Sequence, residues 1–172
     1  MAPRLPDSLS RMQPEAAYAR AVQLVDAGEA QRSLPFFRRA LSFRGAPATA
    51  HLDYSVGLNN TAVQFRARLD IPENRTRSSY ERVALMREAL AQLEIAEHLA
   101  TIPALRADVH ANRAHRYLTW GFQLEALREF REAEADEPGK WQATADEWSR
   151  RLHHPERPDP GSPVSPASAL RR

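Results

Sequence analysis

Two stretches of this chain, Pro14 to Gly45 and Ala107 to Pro138, carry the same residue types at the same intervals. In the later stretch the ladder is Ala114, Tyr117, Gly121, Ala126, Phe130, Ala133 and Pro138. In the earlier it is Ala21, Leu24, Gly28, Ser33, Phe37, Ala40 and Gly45. Both run at offsets of 3, 7, 12, 16, 19 and 24 from the first residue. Matched offsets occurring twice describe a repeated helix–turn–helix unit, and such a unit buries its apolar face only by stacking on its neighbours.

Each interval has a physical reason. Ala114 and Tyr117 sit one turn apart on one helix face, and Ala126, Phe130 and Ala133 form the i, i+4, i+7 stripe of a second amphipathic helix. Small residues let two helices approach closely, while Tyr117 and Phe130 fill the space beside them. Gly121 ends the first helix in a left-handed conformation, and Pro138 stops the second. In the earlier copy Pro35 falls inside the second helix, near its start, where a missing N–H matters least.

The pattern resembles the tetratricopeptide repeat. The later copy carries nearly the whole signature, with Asn112 before the first small residue, Glu125 before Ala126 and Glu137-Pro138 at the close. A third, degenerate copy lies between. Ala62 and Phe65, within Asn59-Asn60-Thr61-Ala62-Val63-Gln64-Phe65, match Ala114 and Tyr117, while Ala89, Leu93 and Ala96 match Ala126, Phe130 and Ala133. Ala62 and Ala89 stand 27 apart instead of 12, so about fifteen residues, roughly Asp70 to Ala84, are inserted. The resemblance implies an all-α, right-handed α-solenoid of three helix pairs, at about 14–45, 50–102 and 104–138.

Helices are expected near Gln13–Ala27, Ala30–Phe43, Ala48–Leu69, Ser78–Ala100, Ala104–Trp120, Gln123–Asp136 and Lys140–His153. The last carries Trp141, Ala145, Trp148 and Leu152 on one stripe and reads as a cap over the apolar end of the stack. Trp141 and Trp148 serve equally to cap the stack or to meet a second copy in a homodimer. The folded region is thus 13–153, flanked by a loose N-terminus at 1–12 and a disordered tail at 154–172 that is rich in Pro and Ser.

Charge argues against a phosphate ligand. The sequence pI is about 9.4. Pro14 to His153, however, contains nineteen Arg or Lys and nineteen Asp or Glu, so the repeat region is neutral and the excess sits at the termini. That is not the footprint of a nucleic-acid binder. The chain has no cysteine, hence no disulfide and no thiolate metal site. No transmembrane run is present. Met1–Met12 lacks the apolar segment of a signal peptide, which makes the cytoplasm the expected compartment.

Chemistry is not written in the sequence. The six histidines form no HExxH or other ligand array. There is no phosphate-cradling glycine loop and no GxSxG elbow. A non-enzymatic protein without cofactor or metal is expected.

In the family the resemblance points to, the first helix of each pair lines a concave groove. Carried onto this chain, the groove residues are Tyr18, Ala19, Val22 and Val25; Val56, Asn59, Asn60, Val63 and Arg66; and Asp108, Ala111, Asn112, His115 and Thr119. Asn60 and Asn112 offer a donor and an acceptor to a peptide backbone, or equally to a neighbouring helix or water. The four valines fit a core role as well as a groove role. Some family members bind the acidic C-termini of chaperones through basic groove side chains. At those positions this chain has Tyr18, Asp108 and Asn112, and only Asn60 agrees, so that carboxylate clamp is absent and a neutral or mixed-charge segment fits better.

A secondary site is suggested by Arg75 and Arg77 in the insertion, where two arginines among hydroxyl residues suit an acidic partner. The plain alternative is a solvated loop with Ser78 capping the next helix. The leading functional expectation is an adaptor or scaffold that holds a peptide or helix of a partner protein in the groove. A ligand-responsive regulatory or sensor module, moving through the Asp70–Ala84 insertion, is the alternative, and a helical-repeat RNA binder is a third.

Overall fold

The computed structural model describes residues 7–66 and 75–153, with side chains at 9–65 and 79–152. Helices in these segments are α1 (Asp7–Ser10), α2 (Pro14–Asp26), α3 (Ala30–Leu41), α4 (Ala48–Arg66), α5 (Arg75–Leu99), α6 (Pro103–Trp120), α7 (Gln123–Asp136) and α8 (Gln142–His153). No strand occurs among the described residues, so the fold is all-α.

The ladder becomes the core. Ala21, Leu24, Ser33, Phe37 and Ala40 are buried, as are Ala114, Ala126, Phe130 and Ala133, and Ala62, Ala89, Leu93 and Ala96 of the middle unit. Phe37 anchors one cluster with Ala21, Leu34, Tyr54, Leu58 and Ala89; Phe130 anchors another with Ala107, Ala111, Ala114, Leu127 and Ala145. Burying such a ring is worth about 1.5–3 kcal/mol.

Both ladder glycines end their helices in the same way. Gly28 has φ of 75° and Gly121 φ of 84°. Gly121 N–H donates to Leu118 O at 3.1 Å and Phe122 N–H to Tyr117 O at 2.9 Å; Gly28 N–H donates to Val25 O at 2.9 Å and Glu29 N–H to Leu24 O at 2.8 Å. These are the paired 5→2 and 6→1 bonds of a Schellman motif, which satisfies the last carbonyls and turns the chain back. The most extensive helix contacts accordingly join α2 to α3, α4 to α5 and α6 to α7. Successive pairs meet through α3 with α4 and α5 with α6, and the first helices also touch, α2 with α4 and α4 with α6. Gly57 lets α4 approach α3: a Cβ there would lie 3.1 Å from Phe37 Cε2 and 3.2 Å from Ser33 Oγ.

At the C-terminal end α8 packs on α7, with Ala145 buried and Trp141, Trp148 and Leu152 against the Phe130 cluster. Glu134 of α7 accepts the Trp141 N–H at 2.8 Å and the Gly139 N–H, so a side chain of one helix caps the start of the next. Those bonds hold its carboxyl below the usual range.

Some boundaries differ from the sequence reading. Within the stretch read as loose, Asp7–Ser10 is helical, Leu9 is buried, and Arg39 Nε donates to Met12 O at 2.8 Å. A single turn with no internal stability depends on that tertiary contact, which leaves no periodic trace. α5 begins at Arg75 rather than Ser78, so Arg75 and Arg77 start a helix and Ser78 is not its N-cap. The side chains of Arg66, Arg75 and Arg77 lie outside the described residues, as do residues 67–74 of the insertion and the tail from 154. Pro35 is the sixth residue of α3, beyond the first turn, and forfeits the bond to the Gln31 carbonyl.

Candidate functional site

α2, α4 and α6 carry the residues expected to line a groove, and the structure sorts them by what each side chain already does. Tyr18 is half-buried, edge-on to Phe37 at 6.3 Å, and its Oη donates to Asp53 of α4. Burial, followed by that carboxylate, pushes the Tyr18 phenol up to about 12. Burial also raises the Asp53 carboxyl, against the opposing effect of the Tyr18 bond. The Tyr18 hydroxyl is therefore spent on holding α2 to α4. Tyr18 also lines a hollow of about 220 Å3 with Pro14, Phe43, Ala46 and Pro47.

The valines divide. Val22 and Val25 pack against the Phe37 cluster, which makes them largely core. Val63 is 47% exposed, and Val56 is intermediate. Ala19 is exposed, whereas Ala111 is buried in the Phe130 cluster and presents nothing to a ligand.

The asparagines divide too. Asn59 is buried, and its Oδ1 has no hydrogen-bond partner among the described residues. Asn60 is half-buried and makes no side-chain hydrogen bond among the described residues. Asn112 is engaged at both ends, Nδ2 donating to Asp108 O at 2.8 Å and Oδ1 accepting from Arg116 Nη2 at 3.3 Å. Asp108 pairs with Lys140 at 3.0 Å. His115 lies edge-on to Phe130 at 5.3 Å, and Thr119 Oγ1 donates to the His115 carbonyl at 2.9 Å. Burial, and then the Arg116 charge, lower the His115 pKa.

Arg116 was not among the residues picked out from the sequence. It is 7% exposed, and burial holds its guanidinium down to about 10. Its Nε has no partner among the described residues.

A second polar constellation joins α5, α6 and α7. Arg106, His110 and Arg113 form an i, i+4, i+7 stripe on α6, and Glu129 and Asp136 stand i, i+7 on α7. Arg106 forks onto Asp136, with Nη2 to Oδ1 at 2.8 Å and Nε to Oδ1 at 3.2 Å. His110 Nδ1 meets Glu129 Oε2 at 2.8 Å. Arg113 bridges Glu129 at 3.3 Å to Glu97 of α5. The bond to Glu129 raises the His110 pKa, against a smaller effect of burial. Hydrophobic periodicity does not register such a stripe; matched charge spacing on adjacent helices does.

No three His, Asp or Glu side chains are disposed to hold a metal ion among the described residues. None of the described helices is long and apolar enough to cross a membrane. Comparison of the chain with protein-family models, with curated proteins and with solved structures finds no match.

Proposed function

We propose that the chain is a short superhelical stack of tetratricopeptide-like helix pairs that acts as a protein-binding adaptor, holding a peptide or helix of a partner across α2, α4 and α6. The stack reading is supported by pairwise helix contacts that repeat along the chain, by contact between first helices, and by the same glycine turn at matching ladder positions. A cap is the natural role of α8, whose tryptophans cover the Phe130 cluster.

One observation carries the binding reading. α4 is the helix that touches both α2 and α6, and its stripe Val56, Asn60, Val63, at i, i+4, i+7, is not buried. Val63 is exposed and Val56 and Asn60 are half-buried, so the middle helix offers apolar surface and an uncommitted amide that a partner segment can cover. A partner segment that supplies apolar side chains to the valines and a backbone group to Asn60 would match both.

The test is affinity capture with wild type and with Asn60→Ala/Val63→Glu. Both positions are at least partly exposed, so the double variant keeps its fold and its melting temperature. Loss of one or more captured proteins supports the reading; an identical set of captured proteins removes this face from consideration.

A further inference from the structure

Among the described residues, Arg116 is a buried cation without a counter-ion. Its single hydrogen bond among the described residues goes to a neutral amide, Asn112 Oδ1, at 3.3 Å, and its Nε bonds to nothing described. Three other arginines held between helices do have acidic partners. Arg113 has Glu97 and Glu129, Arg106 has Asp136, and Arg38 has Tyr54 and Glu88. Asp108, the nearest acid along α6 to Asn112, is already paired with Lys140. Among the described residues those three arginines have acidic partners and the most buried one has none.

The position of Arg116 matters as much as its isolation. At 100° per residue, Asp108, Asn112, His115, Arg116 and Thr119 fall within an arc of about 100° on α6. That arc is the one that carries the candidate groove residues, and the guanidinium reaches back one turn along it to Asn112. His115 is its neighbour on that arc, and after burial the Arg116 charge helps to lower the His115 pKa.

We propose that Arg116 is a binding residue for a carboxylate, contributed by the partner segment that occupies the α2–α4–α6 face; this rests on the adaptor reading above. A carboxylate arriving on that face meets the terminal nitrogens of the guanidinium, since Nε is fully buried, and takes the planar charge-assisted bonds for which arginine is suited and lysine is not. Asn112 Oδ1 holds the guanidinium in place through Nη2. A buried charge destabilises the free protein and is repaid only when its counter-ion arrives. The site therefore trades stability for recognition of an acidic group, from a side chain or from a chain terminus.

The experiment uses the full chain and three probes: acetyl-Ala-Glu-Ala amide, acetyl-Ala-Gln-Ala free acid and acetyl-Ala-Gln-Ala amide. The first presents a side-chain carboxylate, the second a terminal one, and the third neither. The readout is the His115 ring resonance followed through a pH titration by NMR, together with the melting temperature. At least one acid probe raises the His115 pKa in wild type, the neutral amide does not, and the responding acid identifies the source of the carboxylate.

Arg116→Met abolishes the response and melts at or above wild type without ligand. Arg116→Lys keeps the cation but loses the planar guanidinium, so it responds several-fold more weakly; it covers the case in which the methionine variant fails to fold. No response of wild type to either acid, or an equal response in the variants, overturns the proposal. Captured proteins that depend on Asn60 and Val63 but not on Arg116 would refute the carboxylate site while leaving the adaptor reading intact.

Discussion

Two three-helix junctions in this molecule solve the same problem with different chemistry. Where α3, α4 and α5 meet, Tyr54 is buried, donates to Glu88 Oε1 at 2.5 Å and accepts from Arg38 Nε at 2.9 Å. Where α5, α6 and α7 meet, Arg113 joins Glu97 to Glu129 and His110 meets Glu129 at 2.8 Å. The first junction centres on a neutral hydroxyl beside a partly exposed ion pair, the second on largely buried charges. Burial, ahead of Glu88, raises the Tyr54 phenol above its ordinary value, so that junction keeps its proton through the neutral range. The second contains His110, whose pKa the bond to Glu129 raises from its ordinary 6.5.

The difference is broken most severely at Arg113. Its side chain is 13% exposed, and Arg113→Leu leaves Glu97 and Glu129 with only His110 between them. Removing one partner of a buried pair costs about 3–5 kcal/mol, and the partial exposure of Glu97 places this case nearer roughly 2–4. Tyr54→Phe removes one hydroxyl and leaves Arg38 and Glu88 still able to pair in water's reach, for a loss of about 1 kcal/mol. Urea unfolding of the two variants checks the ranking. Equal losses would mean that the two junctions are energetically alike.

A smaller effect sharpens the same contrast through pH. The groups facing His110 are Glu97 from α5, Glu129 and Asp136 from α7, and Arg106 and Arg113 along its own helix. With these neighbours its folded pKa lies above the unfolded value of 6.5. Its stabilisation is complete below that value and is lost as pH rises through the folded pKa. Thermal melts between about pH 6 and 9 should therefore fall more steeply in wild type than in His110→Gln. His115, whose pKa is lowered, acts with the opposite sign, so the comparison with His110→Gln rather than the raw profile isolates His110. Parallel profiles would show that His110 gains no proton-linked stabilisation from its carboxylates.

The sequence made the packing legible because packing depends on side-chain size at fixed intervals. The expected helix Gln123–Asp136 coincides with α7, and every ladder alanine is buried. The helix at Asp7–Ser10 escaped because one turn shows no period, and the start of α5 was displaced because arginine and threonine at 75–77 resemble a loop in composition. The groove residues were legible only as positions. Size and spacing placed Asn112 on one arc of α6 with Asp108, His115 and Thr119, but its engagement by Arg116 depends on where a long side chain folds back, which spacing does not encode. Tyr18 is committed to Asp53 for the same reason.

The central claim is that a protein segment covers the α4 stripe. Site-specific photo-crosslinking tests it directly, with benzoylphenylalanine placed at Val63, which is 47% exposed on α4, or at Leu124, which is 62% exposed on α7. The account predicts a discrete covalent adduct with another protein from Val63 and none from the more exposed Leu124. Adducts of equal yield at both positions, or at Leu124 alone, would contradict it.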